Sequence, residues 1–346
     1  MALSDGKWSL KLLGGCLTIC IAGMVYAHAQ TGNVGSTVPA PTASSSISPT
    51  PFNPSDTTAH STTQASRAVE PLVDKPLPDV ATLMHQVEVN QRKAEAIKKD
   101  YIYHSVATEE EIDGKGRVKK STVTEADHFY LNGVEVRRLL KKDGKDLSPD
   151  ELTKENERLD KEAAKGQEKR EKADAKGKET DSNGNEEITV SRWLELGAFT
   201  TPRRVELNGR PTIAIDYTGD SKAKTRNASE LLVRELAGTI WIDEQDCALV
   251  RIEGHFAKAF KLGAGLFINI KQGTRFTYEQ TKVNDEIWLP ARIEGEGAAR
   301  VLLFVSFSGR VRAVDSNYRK FRASATILPG VAEVPDADKT AVPTKP

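Results

Sequence analysis

Apolar residues at Val80, Leu83, Met84, Val87, Ala94 and Ile97 recur at helical spacing, and Asp79 stands where an N-cap belongs. This predicts an amphipathic helix from about residue 80. Strand-like text follows: Tyr101–Ala107 is rich in aromatic and β-branched residues, and 117–142 centres on Asn132-Gly133, a two-residue hairpin turn. The pattern then changes. Ser148-Pro149-Asp150-Glu151 carries Ser at N-cap, Pro at N1 and Glu at N3, the full signature of a helix start. From there to about Lys176 the chain is charged on all sides, with Glu157–Lys161 and Glu168–Lys172 as i,i+4 pairs. With no wide apolar face, this segment predicts a solvated helix that protrudes from the domain.

Ile188, Trp193, Leu194 and Phe199 resume apolar patterning as a short helix. Arg203–Leu207, Asn208-Gly209 and Pro211–Tyr217 predict a second hairpin, and Asn227 caps a further helix that Gly238 ends. Beyond Gly238 the text is β to about Ile327. Gly238–Asp243 and Cys247–Gly254 flank a turn, Phe276 and Tyr278 alternate with Thr277 and Glu279, and Asn284-Asp285 turns into Ile287–Pro290. Val301, Leu303, Val305 and Phe307 share one face of a predicted strand, with Leu302 and Phe304 on the other. A lone Cys247 in strand-like text reads as a small buried apolar residue. Short gaps between runs favour antiparallel neighbours. The expected fold is α+β: a strongly curved antiparallel sheet, an incomplete barrel, with helices on its concave face and a protruding charged helix.

Composition divides the chain. The first 29 residues read as a secretory signal: Lys7 and Lys11, an apolar stretch from Leu12 to Val25, and Ala27-His28-Ala29 as a cleavage site. The alternative is that the same stretch is retained as an anchor. Residues 31–78 hold 26 Ser, Thr, Pro or Gly in 48 positions, too little apolar surface to offset chain entropy. The expected organisation is a signal over 1–29, a disordered tether over 30–78, a half-barrel domain over 79–330 with a charged helical insertion at 148–181, and a disordered tail over 331–346. Export into the periplasm or cell envelope of a bacterium follows. Without the signal, only Cys247 remains, so no disulfide can form within the chain. Lys+Arg and Asp+Glu both number 49, a balance that argues against nucleic-acid binding.

Residues 238–321 resemble a known group. Gly238-Thr-Ile-Trp241-Ile242-Asp243 and Leu249–Glu253 form one element of the likeness. Phe276–Gln280, Val283, Asp285 and Trp288-Leu289-Pro290 form the next, and Tyr318-Arg319-Lys320-Phe321 closes it. Together they are similar to the outer-membrane lipoprotein-sorting protein group, of the LolA/LolB half-barrel superfamily. Large secreted representatives look similar from about Tyr101, including Asn132-Gly133-Val134 and the Asp143–Ser148 opening of the charged helix. The resemblance implies an incomplete barrel lined by apolar side chains and lidded by helices, and a role in carrying acyl chains or sensing lipoproteins. No transport-specific residue carries over, because no site motif matches.

Catalytic signatures are missing from the text. There is no Gly-x-Ser-x-Gly, no His-Glu-x-x-His and no phosphate loop, and Gly263-Ala264-Gly265 lacks the third glycine of a dinucleotide loop. No two of His60, His85, His104, His128 and His255 have metal-ligand spacing. The expectation is therefore a non-enzymatic envelope protein without cofactor or metal, binding a lipid or acyl chain in the half-barrel. Trp241, Phe276, Tyr278, Trp288, Phe304 and Phe307 are the candidate lining residues. The alternative is an interaction or sensor module that docks an envelope protein through helix 149–176.

Overall fold

A computed structural model describes residues 75–263, 268–301 and 305–321. The expected signal (1–29), nearly all of the tether (30–78) and the tail (331–346) lie outside the described residues.

Asp79 opens α1 (Val80–Lys98) by accepting from the Thr82 N–H at 2.9 Å, and Leu83, Met84 and Val87 are its buried stripe. The chain then enters β1 (Tyr101–Ile112), β2 (Val118–Leu131), β3 (Val134–Lys142) and the two-residue β4 (Lys145–Asp146). Asn132 and Gly133 both take positive φ, +53° and +74°, the conformation that a two-residue turn between twisted strands requires. The charged helix α2 (Pro149–Asp174) begins with a complete capping box between Ser148 and Glu151. Two short helices, α3 (Val190–Leu196) and α4 (Ala228–Val233), flank the hairpin of β5 (Gly197–Leu207) and β6 (Arg210–Gly219). The rest is β: β7 (Leu236–Asp243), β8 (Ala248–Phe256), β9 (Phe260–Leu262), β10 (Ile268–Ile270), β11 (Arg275–Val283), β12 (Ile287–Val301) and β13 (Val305–Lys320).

All pairings are antiparallel, in a 13-stranded sheet ordered β4-β3-β2-β1-β13-β12-β11-β8-β7-β6-β5, with β9 and β10 off this path. The end strands β4 and β5 do not pair with one another, so the curved sheet stays open. Pairing of β1 with β13 joins the two ends of the domain and closes it in sequence.

One face of the sheet carries α1, α3 and α4. Leu83, Met84 and Val87 of α1, with Trp193 and Leu196 of α3 and Val233 of α4, pack on Ile213, Ile215, Ile240, Ile242, Ile252, Phe276 and Ile293. The other face carries α2. Val134 and Val136 are buried with Leu159, and alternation along β3 points both away from Glu135, which meets α1 through Lys98.

The charged helix departs from the sequence expectation. It does not stand clear of the domain but lies along β3. Its contact stripe is only Glu155, Leu159, Ala163 and Gly166, and Gly166 is the reason so narrow a stripe suffices. A Cβ there would lie 2.7 Å from Val134 Cγ1, so the missing side chain lets the backbone settle onto the valine. The helix and the loop after it also cap the free edge of β3. Arg170 donates to Gly133 O at 3.0 Å, Asn183 Oδ1 accepts from Glu135 N at 3.2 Å, Arg158 donates to Arg137 O, and Glu155 Oε1 accepts from Leu139 N at 2.7 Å. These side chains occupy the backbone groups that would otherwise template another strand.

Two smaller departures concern turns. Val301 ends β12 and pairs with Val305 at the start of β13, so two strands stand where one was expected, and 302–304 lie outside the described residues. The run 301–305 is continuously apolar and holds no Gly, Pro, Asn or Asp, so alternation alone reads as one strand. Cys247 is half-buried at a turn with φ +45°, its Sγ 3.4 Å from Gln86 Oε1, and β8 starts one residue later.

Candidate functional site

The place where helices meet the sheet is built by small residues as much as by large ones. Gly238 on β7 pairs with Gly254 on β8, and Gly254 pairs with Phe276 on β11. A Cβ on Gly254 would stand 2.5 Å from the Phe276 ring, so the missing side chain leaves the ring its place over the glycine. Above this floor sit α3 and α4. Thr189 caps α3 through Arg192 N at 3.2 Å, and Asn227 caps α4 through Glu230 N at 2.9 Å. The two helices are clasped by Arg192, whose Nε and Nη2 each donate to Glu230 at 2.9 Å, with a further bond to Lys224 O. Burial would raise the Glu230 pKa, but the Arg192 bonds and the Arg226 N–H outweigh it and hold the carboxyl below its ordinary range.

Between floor and helices runs a narrow crevice. Its volume is only about 30 Å³, and its walls include Trp193, Tyr217, Val233, Ile240, Ile252 and Phe276. Trp193 packs edge-on to Phe199 and tilted over Tyr217, with ring centroids 4.9 and 5.3 Å apart. The Tyr217 hydroxyl donates to Val233 O at 3.2 Å. Trp193 is 4% exposed, and its buried indole Nε1–H has the Tyr217 hydroxyl as its polar neighbour, short of a regular hydrogen bond.

No protein-family model matches the sequence. A search of curated proteins finds no match either. Solved structures do overlap with it. A domain described as an outer membrane lipoprotein-sorting protein domain from Vibrio parahaemolyticus is 9% identical, with a TM-score of 0.32 over 70% of this chain and 94% of its own. A LolA-superfamily protein from Nitrosomonas europaea is 11% identical, with a TM-score of 0.23 over 68% and 93%. A DUF1329 family protein from Desulfovibrio piger is 8% identical, with a TM-score of 0.26 over 70% and 94%. The chain is similar to LolA-like structures. The overlap is loose and speaks of fold alone.

Within the sheet, the half away from the crevice is polar. Glu135 accepts from Tyr103 and Tyr130 hydroxyls at 3.2 Å each and from Lys98 at 3.4 Å. Tyr103 stacks on His128 at 4.7 Å and 7°. Burial works against the charge on Lys98, yet Glu135 beside it keeps the ammonium well above its usual pKa. Burial pushes the Tyr103 and Tyr130 phenols up, so neither ionises near neutrality. The arrangement ties α1 to β1, β2 and β3.

The six candidate lining residues separate. Phe276 and Tyr278 join the core under the helices, and only Phe276 touches the crevice. Trp241 lies on the opposite face, under the Arg251 guanidinium at 5.1 Å. Trp288 is half-buried, donating to Asp246 at 2.9 Å beneath Arg210. Phe307 is buried opposite Ala299 on β12. Phe304 lies outside the described residues. Trp193 and Tyr217, which make the crevice wall, are not among the six. The available signal was the apolar text around Trp193, but nothing in it says which strand the indole meets. Among the described residues no group of three His, Cys, Asp or Glu is placed to hold a metal ion, and no helix is long and apolar enough to cross a membrane.

Proposed function

We propose that the chain is a non-enzymatic cell-envelope binding protein that shelters a lipid or acyl chain between its sheet and the α3–α4 pair. The observation that carries this reading is the crevice between sheet and helices with its apolar walls of Trp193, Val233, Ile240, Ile252 and Phe276. At about 30 Å³ it is far smaller than ligand pockets, which run to roughly 300–1,000 Å³. Uptake therefore requires α3 and α4 to lift together off β7 and β8. They are short, seven and six residues, and their mutual clasp is the Arg192–Glu230 pair.

Native mass spectrometry of protein purified gently from envelopes is expected to show an acyl-bearing adduct. A fluorescent fatty acid should load severalfold faster into Glu230→Gln, whose clasp is weakened. Absence of any adduct, together with no loading of either protein, would sink the reading. Docking of an envelope protein through residues 149–176 has less support, because the buried stripe of that helix is already used on β3.

A further inference from the structure

On the face opposite α1, a half-open hollow of about 580 Å³ lies over the start of β1 and the end of β13, lined by His104, Asp127, Leu140, Asn317, Tyr318 and Arg319. Its volume falls in the range of small-molecule sites. His104 and Asp127 face each other across β1 and β2, with Nδ1 and Oδ1 3.0 Å apart. That bond satisfies Asp127 from the imidazole. Arg319, 67% exposed, comes no nearer than 3.9 Å to the same carboxylate, so its fork has no hydrogen-bonded partner among the described residues.

The hollow exists because the strands are irregular here. The β1–β13 register slips between Ile102 and His104, and Asn317 is held at φ +53°, a conformation costly for most residues outside glycine. On the same face Arg138 is paired in register with Asp127, and Lys141 lies 3.7 Å from Glu125, which also sits 3.7 Å from His104 Nε2. Arg319, Arg138 and Lys141 thus share this face with Asp127 and Glu125; Arg138 lies over the Phe129 ring at 5.1 Å and Lys141 faces Glu125, which leaves Arg319 the cation whose fork is free for a ligand.

We propose that this hollow binds a small organic anion. Its oxyanion sits on the Arg319 fork, the Asn317 amide lies beside it, and its apolar body rests against Leu140; the Tyr318 ring turns to the other face, tilted 5.9 Å from Tyr103. A guanidinium fork matches a carboxylate or a phosphate equally in geometry, so the shared chemistry is an oxyanion on a compact apolar body. His104 is a positioning residue: by holding Asp127 it keeps that carboxylate from closing onto Arg319.

The test is titration of the full-length protein with three probes of one body, followed by calorimetry and by amide shifts of residues 102–106 and 316–320. Benzoate carries a carboxylate, phenyl phosphate a phosphate, and benzyl alcohol no charge. Saturable binding of at least one anion is expected, with benzyl alcohol much weaker, and the tighter anion identifies the group recognised. Arg319→Ala should weaken that anion about tenfold, the scale of a lost charge-assisted pair. Arg275→Ala, an exposed arginine on β11 away from the hollow, should leave it unchanged. His104→Gln should weaken it less than Arg319→Ala. No saturation by either anion would overturn the proposal. So would equal binding of benzyl alcohol, or equal losses in the Arg319 and Arg275 variants with unchanged thermal unfolding.

Discussion

Glu155 and Glu157 stand two positions apart on the same charged helix and differ in every physical respect that matters. Glu155 is 8% exposed, accepts from Leu139 N at 2.7 Å and from Arg158 Nε at 2.8 Å, and so closes the free edge of β3. Glu157 has a 62% exposed side chain and, among the described residues, pairs only with Lys161, at 3.5 Å. Burial alone would raise the Glu155 pKa, but the Arg158 bond and the Leu139 N–H outweigh it and hold the carboxyl below its usual value. Its contribution is therefore present above the unfolded-state pKa and fades only as pH falls through the lower folded one. Glu155→Ala leaves a strand N–H without its acceptor and takes from Arg158 one of its two carboxylate partners, Glu162 remaining, a loss of about 1–3 kcal/mol. Glu157→Ala removes an exposed i,i+4 pair worth at most about 0.5 kcal/mol. Urea unfolding at neutral pH should separate the two variants by that margin. Equal midpoints would mean that α2 does not seal the edge.

At the scale of elements, α2 raises a contest between two opposite effects at Gly166. Alanine gains about 0.5–1 kcal/mol of helix propensity over glycine. The new Cβ would stand 2.7 and 2.8 Å from the two Val134 methyls, and Val134 is fully buried in β3, so it cannot yield cheaply. Overpacking of this kind costs about 1–3 kcal/mol, and it wins. Gly166→Ala is thus expected to lower thermal stability and to lift α2, freeing the β3 edge so that sedimentation shows concentration-dependent association. A rise in melting temperature with a clean monomer would count against the packing. The same helix shows what sequence can and cannot disclose. Its start was legible to the residue, as were the Asn132-Gly133 and Asn208-Gly209 turns, because caps and turns are local chemistry. Its seat on β3 was not, because a stripe of Leu159, Ala163 and Gly166 buries by fit rather than by width. The division of the run 301–305 between β12 and β13 was hidden for a related reason, as no turn residue marks it. For the site, alternation told apart the two faces of a strand but not which face the helices cover. Phe276 therefore reaches the crevice, while Trp241 lies on the far side under Arg251. His104 and Arg319 share a hollow across 215 positions, a juxtaposition made by the β1–β13 pairing alone.

For the whole molecule, three carboxyls in different parts of the fold act in the same direction on stability: the buried Asp315, the half-buried Glu187, and Glu109 on β1, which burial pushes up to about 7 against the pull of Lys120. Asp315 on β13 is pushed up to about 6 by burial, against a bond from Ser105 and with Glu135 nearby adding to the rise. Glu187 lies in the loop that links α2 to α3, and burial beside Glu95, Asp181 and Glu179 pushes it up to about 7. A carboxyl whose folded pKa is raised binds its proton more tightly when folded. The unfolded chain has already lost that proton at pH 5, so the folded state holds an advantage there that disappears as pH climbs through 6 and 7. The depressed carboxyls Glu155, Glu230, Glu244 and Asp246 work in the other sense, but their window lies below the ordinary carboxylate range and is closed by pH 5. Between pH 5 and 8 these raised carboxyls therefore set the slope, and the domain should be less stable at pH 8 than at pH 5. Asp315→Asn and Glu187→Gln each remove one titrating group while keeping its shape. The single variants should flatten part of the pH dependence of the melting temperature, the double variant more, and adding Glu109→Gln most of what is left. A wild-type melting temperature that rises from pH 5 to 8, or a slope unchanged in the double variant, would place the buried protons elsewhere.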